Sequence, residues 1–237
     1  MFESPGSALV VIPHPDDGEI GCGGTTAKWI RAGCKVFYLL CTNGDKGSND
    51  RGITSLALAK VRSKEQLAAA DSLGVEEVIM LGYPDGELED TKQFRGEVVK
   101  AIRRFRPEVV ICPDPFRTTP YWHRDHRICG QVTVDAVFPY ARDYLHFSEH
   151  LRDDGLEPHK VGSLFLVGTE SPDVYIDVSD SIDCKIQALY CHVSQVGPKD
   201  KDLDNTLGKR IRERAQETGS KAGYQYAEAF RHIKFGT

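Results

Sequence analysis

Short apolar runs separated by longer mixed segments organise the first half of the chain. Residues 8–12 (ALVVI) are apolar, rich in β-branched residues and followed by Pro13, which predicts a buried strand. Residues 24–32 have helical composition and stop at Gly33, a residue suited to a helix C-cap. A second strand is predicted at 35–41, and a polar loop containing three glycines at 42–54. A helix over 59–73, closed by Gly74, then leads to a third strand at 77–81. An amphipathic helix over 94–105 stops before Pro107 and precedes a fourth strand at 108–112. Beyond residue 125 the pattern predicts a helix to about residue 141 and strands at 163–168 and 174–178. Two helices, over 181–193 and over 203–217, complete the prediction.

Strands alternating with helices of this length imply βαβ units with right-handed crossovers, hence an α/β fold with a mostly parallel central sheet. No repeat, low-complexity tract or linker interrupts the pattern, so residues 1–237 are read as a single domain. A hydrophobic fraction of 40% is enough for a sizeable core without staples. The net charge of -5 argues against nucleic acid as a partner. Arg103, Arg104 and Arg106 form the one close basic group, and they suit a helix C-terminus. The seven cysteines are odd in number and contain no C-x-x-C pair. Neither a disulfide framework nor a thiolate zinc site is expected, and a reduced, cytoplasmic setting fits best. No signal peptide and no membrane span are expected either, since no run of eighteen apolar residues occurs.

Candidate chemistry follows the strands. Ligands of open α/β sheets gather at the strands' carboxyl ends. The turn after the first strand reads Pro13-His14-Pro15-Asp16-Asp17-Gly18-Glu19. Proline and aspartate are ordinary turn and capping residues, but such a turn needs one aspartate and no histidine. Imidazole and carboxylate together make a zinc-type ligand set. These residues alone leave turn and metal site equally open. A second group, Trp122-His123-Arg124-Asp125-His126, follows the fourth strand by about ten residues. His123 and His126 are three apart and share a face if a helix starts there. Both groups follow parallel strands and so belong on the same rim, which favours a metal site.

The stretch His-Pro-Asp-Asp-x-Glu-Ile-Gly-x-Gly-Gly-Thr at 14–25, with His-x-Asp-His at 123–126, resembles the LmbE/PIG-L family of zinc-dependent N-deacetylases. Further likenesses lie in Thr42-Asn43-Gly44-Asp45-Lys46-Gly47, Arg62-x-x-Glu65, Pro84-Asp85-Gly86, His192-x-Ser-Gln195 and Ala227-Glu228-Ala229-Phe230. The likeness spans nearly the whole chain. Pro13 departs from it, standing where the family usually has a small residue.

The resemblance implies a Rossmann-like three-layer fold and a zinc ion held by His14, Asp17 and His126, with a fourth position left for water. It implies Asp16 as general base and His123 as an oxyanion stabiliser or proton donor. Asp125 is expected to hydrogen-bond one histidine and fix its tautomer. Glu19 is expected to support a ligand, or else to serve only as a helix N-terminal carboxylate. The implied substrate is a small amino-sugar conjugate carrying N-acetylglucosamine, and the likeness points to a homo-oligomer. Arg62 is expected to reach a substrate hydroxyl or phosphate, or to pair with Glu65. Asn43, Asp45 and Asp85 either bind sugar hydroxyls or simply make turns. Tyr121 and Trp122 either stack on a sugar or pack inward. His192 and Gln195 are placed on a helix end that closes over the site.

Two rivals are weaker. Gly21-Cys22-Gly23-Gly24 lacks the third glycine of a dinucleotide fingerprint, so a nucleotide-binding module fits poorly. A metal-dependent amidase or phosphoester hydrolase on another substrate shares the ligand types, although phosphoester sites often hold two metals.

Overall fold

In the computed structural model, residues 2–118, 123–197 and 207–236 are described. A seven-stranded sheet runs in the order β3-β2-β1-β4-β5-β7-β6. Its strands are β1 (Ser7–Ile12), β2 (Lys35–Thr42), β3 (Glu77–Tyr83), β4 (Val109–Pro113), β5 (Ser163–Val167), β6 (Val174–Asp177) and β7 (Ala227–Lys234). β1 to β5 are parallel, whereas β7 runs antiparallel to both β5 and β6. The mostly parallel α/β sheet expected from the sequence is therefore present.

Both faces of the sheet are covered. Ala8, Val10 and Ile12 of β1 pack with Val36, Tyr38, Ile111 and Phe165 on one side. Leu9 and Val11 pack with Leu39, Val110, Cys112 and Leu164 on the other. Side chains alternate across a strand, so a strand buried on both faces must be apolar at every position, as 8–12 is. Helices α1 (Asp17–Arg31), α6 (Ile182–Leu189) and α8 (Leu207–Ser220) cover the first face, α2 (Ser55–Leu73) packs on α1 and α6, and the short α7 (Val193–Val196) lies against α2. Helices α3 (Lys92–Phe105) and α4 (Arg124–Asp135), a π-turn at Ala136–Tyr140 and the short α5 (Glu149–Asp154) complete the other side.

The strand order reverses between β1 and β4. Such a switch point leaves a crevice at the strands' carboxyl ends, because the connections on either side lead away from each other. The turn after β1 and the loop after β4 both open there.

Several elements differ from expectation. α1 starts at Asp17, seven residues ahead of the predicted start at 24, because the turn residues and clustered glycines mask a helix bent at Cys22 (φ -146°, ψ 22°). Residues 181–193 do not form one helix, since α6 stops at Leu189 and α7 follows separately. β7 was not anticipated; Glu228 and Arg231 break its apolar pattern, and its partners lie over 40 residues away in sequence. Arg103 lies in the last turn of α3 and Arg106 at its C-cap, as expected of this basic group, but Arg103 is also buried. It is 2% exposed, and its guanidinium donates to the carbonyls of Tyr140, Ala141, Asp143, His146 and Phe147. It thereby stitches α3 to the segment after the π-turn. The start of the predicted helix at 203 lies outside the described residues, as do Tyr121 and Trp122.

Candidate functional site

Thr42 fixes the exit of β1. Its amide and its hydroxyl both donate to the Pro13 carbonyl, at 2.9 and 2.8 Å. The chain then turns so sharply that Asp16 takes a left-handed conformation (φ 95°). In a residue with a Cβ this costs about 1–3 kcal/mol, and it persists only where surroundings enforce it. Here they do: the Asp16 amide donates to Gln66 Oε1 at 3.1 Å, and Arg62 Nη2 donates to the Pro15 carbonyl at 2.6 Å. Gln66 Nε2 donates in turn to Glu19 Oε1 at 3.1 Å. Glu19 Oε2 meets His192 Nε2 at 3.1 Å, in a fully buried pair.

The turn and α4 bring three ligand-type atoms together. Asp17 Oδ2 lies 3.1 Å from His14 Nδ1 and 3.3 Å from His126 Nε2. Two ligand atoms of a tetrahedral zinc are about 3.3 Å apart for bonds near 2 Å, so donor types and spacing both fit such an ion. His14, Asp17 and His126 thus form one candidate metal group, and His14, Asp85, His123 and Asp125 form a second. The second group uses the other nitrogen of the same imidazole. A neutral imidazole has one lone pair and one N–H, so a metal on Nδ1 makes Nε2 a donor. His14 Nε2 sits 3.0 Å from Asp125 Oδ2 and 3.2 Å from Asp85 Oδ1. Asp125 is fully buried and also accepts the amides of Gly86 (2.6 Å) and Leu88 (3.2 Å). Its lone pairs are committed to these donors, which suits an orienting carboxylate better than a ligand.

Electrostatics follow from burying carboxylates around two imidazoles. Burial opposes charge on His14, but Asp125, Asp17 and Asp85 outweigh it and the imidazole is pushed up to about 12. Burial likewise opposes charge on Asp17, yet His126 and His14 hold its carboxyl well below the usual range. Asp16 goes the other way. Burial first, and then the Asp17 charge, raise it to about 7, against the pull of Arg62. Its Oδ2 is 3.4 Å from Arg62 Nη2.

His123 caps α4, and its Nδ1 accepts the Asp125 amide at 3.2 Å. That bond leaves the proton on Nε2, which faces Asp85 Oδ1 at 4.0 Å. Burial, with His14 and His126 nearby, lowers its pKa.

The remaining expected residues divide by exposure. Asp85 stands on the site side, with its amide held by Asp45 Oδ1 at 3.0 Å and its carbonyl by Lys46. Asn43 is half-buried on the same rim and accepts the Asp45 amide. Arg62 and His192 are 4% and 0% exposed; Arg62 donates to the Gly44 and Pro15 carbonyls, and His192 meets Glu19. Arg62 does not pair with Glu65, which instead accepts Ser194. Gln195 is on α7, donating to the Gly47 carbonyl at 3.1 Å. Gln66 was not singled out from the sequence. Its signal was there: it follows Arg62 by four residues, one helical turn, on a helix that exposes Leu56 and Leu67. A cavity of about 110 Å³ lies against Asp17 and His126, lined mainly by Ile12, Cys22, Ile111 and Val167.

A mostly parallel α/β sheet carrying a His/Asp group at its switch point places a candidate metal site where enzymes of this architecture bind their ligands. Residues 9–137 match the family model PIG-L, GlcNAc-PI de-N-acetylase. The chain is 34% identical to a diacetylchitobiose deacetylase of Thermococcus kodakarensis, over 98% of this chain and 85% of that protein. It is 28% identical to a 1D-myo-inositol 2-acetamido-2-deoxy-alpha-D-glucopyranoside deacetylase of a Mycobacterium species, covering 83% and 76% of the two chains. The solved N,N'-diacetylchitobiose deacetylase of Pyrococcus horikoshii superposes with a TM-score of 0.87 at 32% identity, over 97% of this chain and 84% of that one. The chain belongs to the PIG-L family. Its named relatives are deacetylases, hydrolases of amide C–N bonds, and it is an enzyme of that class. A hydratase, GalB from Pseudomonas putida, shares the fold at 19% identity (TM-score 0.81), so the fold by itself does not select the reaction.

Proposed function

We propose that this protein is a zinc-dependent N-deacetylase of small molecules containing N-acetylglucosamine. His14, Asp17 and His126 would hold the ion. Zinc supplies Lewis acidity there, polarising an amide carbonyl and making water a better nucleophile near neutral pH. Asp16, next in sequence to a ligand and held in place by Gln66 and Arg62, accepts a proton from the attacking water. His123, with its proton on Nε2, donates toward the oxygen that gains charge. The proton received by Asp16 then passes to the departing amine. Asp125 keeps His14 in the tautomer that frees Nδ1. Asp85 and Asn43, on the rim, take sugar hydroxyls, while Arg62 and His192 act as supports. The cavity beside Asp17 and His126 gives the acetyl methyl a dry place.

The observation that carries this reading is the spacing of the two imidazole nitrogens, of His14 and His126, around Asp17 Oδ2, with Asp16 next in sequence. Engagement of His14 Nε2 by Asp125 favours one metal over the two of many phosphoester hydrolases. The test is acetate release from N-acetylglucosamine, N,N'-diacetylchitobiose and an N-acetylglucosaminyl inositol. Release that stops with a chelator and returns with zinc is the expected result. No release from any of the three, with zinc bound, would overturn it.

A further inference from the structure

Helix α1 is built as two pieces. Cys22 leaves helical geometry, so the carbonyls before it and the amides after it lose regular partners. In an unbroken helix the Gly24 amide would bond the Ile20 carbonyl. Here the Gly24 amide donates to Glu228 Oε1 at 3.0 Å, and the Thr25 amide donates to Glu228 Oε2 at 2.7 Å. The Ile20 carbonyl instead accepts Lys185 Nζ at 2.8 Å, and that ammonium also donates to Glu228 Oε1 at 2.6 Å. An ion pair from α6 and β7 is thus inserted into the helical ladder. The side chains of Lys185 and Glu228 are 7% and 4% exposed.

The local sequence makes room for the pair. A Cβ on Gly24 would come within 2.9 Å of Val178 Cβ and 3.2 Å of Glu228 Oε1. One on Gly23 would come within 3.2 Å of Lys185 Cγ. Ser181 Oγ donates to the Gly24 carbonyl at 2.8 Å, tying the second piece to α6 as well. The second piece is anchored in the core through Ala27 and Trp29. The first piece, 17–21, carries Asp17 and Glu19 and has the bend as its link to that anchor.

We propose that Lys185 and Glu228 are positioning residues of the metal site. The carboxylate caps the second piece of α1, the ammonium closes the first, and together they set the angle at which Asp17 is presented. Both lie beyond residues 9–137, the stretch matched by the family model. The part of the inference that concerns turnover rests on the deacetylase reading above; the part that concerns zinc does not.

Three variants test it in the full chain: Glu228→Gln, Glu228→Ala and the double Lys185→Met/Glu228→Leu. The double variant refills the volume with apolar side chains but leaves the Ile20 carbonyl and the Gly24 and Thr25 amides without these partners. Zinc affinity is read by competition with a chromophoric chelator, folding by the melting temperature of zinc-free protein, and turnover by acetate release. Every folded variant is expected to bind zinc about 10–100-fold more weakly, the range for loss of a residue that orients a ligand. The value of kcat should fall while KM stays within about twofold, and Glu228→Gln, which keeps one acceptor, should lose least. The double variant should melt below the wild type, by the cost of the stranded Ile20, Gly24 and Thr25 backbone groups, and keep the weakened zinc affinity, whereas Glu228→Gln should melt nearer the wild type. A double variant with wild-type zinc affinity and kcat would overturn the proposal and leave the pair a packing element. If the wild type releases no acetate at all, the deacetylase reading fails, and zinc affinity alone still decides this proposal.

Discussion

His14 Nε2 and Asp125 Oδ2 are 3.0 Å apart, although 111 residues separate them. The contact joins the turn after β1 to the first turn of α4 and fixes which imidazole nitrogen is free for a metal. Asp125→Asn can still accept from Nε2–H but loses the charge that raises the basicity of Nδ1. Zinc affinity, measured by chelator competition, should fall about 10–100-fold in Asp125→Asn and further in Asp125→Ala. Unchanged affinity in both would separate Asp125 from the metal.

Asp16 and Asp17 are neighbours with different assignments. Asp16→Asn should retain one zinc per chain and lose about 10²–10⁴ in kcat, the usual contribution of a positioned base. His14→Ala should lose the zinc itself. Elemental analysis paired with acetate release distinguishes the two, and wild-type turnover by Asp16→Asn would remove it as the base.

Gln66 holds the Asp16 amide while its own amide group is held by Glu19. Gln66→Leu keeps the approximate volume and removes that acceptor. The left-handed Asp16 should relax, with a loss of about 10–100-fold in kcat and zinc still bound, since small misplacements of reacting groups are costly. Wild-type kcat in this variant would show that Asp16 is held by other contacts.

Gly130 lets α4 approach the end of β4. A Cβ there would lie 2.3 Å from the Pro113 carbonyl, so α4, and His126 with it, must move. Gly130→Ala should lower stability by about 1–3 kcal/mol, as overpacking does, and weaken zinc binding too. Gly162→Ala is the control. Its methyl meets only the Glu108 carbonyl, at an ordinary 3.4 Å, and both measurements should stay near wild type.

Arg103 offers a stability change remote from the chemistry. Arg103→Met strands the carbonyls that its guanidinium serves. A loss of about 2–4 kcal/mol in urea denaturation is expected, with zinc affinity unchanged.

The chain's own pattern was a sound guide wherever a local rule decides the outcome. β1, β2 and β4 are near-continuous apolar runs because both their faces are covered, and their bounds were legible to within a residue or two. α3, with its apolar stripe and the stop at Pro107, was equally plain. α2 and β7 were harder, for opposite reasons. α2 turns Arg62 and Gln66 inward to serve the Asp16 turn and leaves Leu56 and Leu67 outside, so its periodicity does not report burial. β7 places Glu228 within the protein, where it meets a bent helix some 200 residues earlier in sequence.

By itself the sequence determined the alternating α/β order, the residue types of a candidate metal site, and the placement of both His/Asp groups after parallel strands. These depend on side-chain alternation, on turn chemistry and on ligand types, all of which are local. The tertiary structure alone decided how those residues are used: His14 tied to Asp125, Asp16 held by Gln66, Arg62 bonded to the Pro15 carbonyl, and α1 bent over Lys185 and Glu228. Each of these is a contact between distant segments. A buried polar group must find a partner, and which partner it finds depends on how the chain packs.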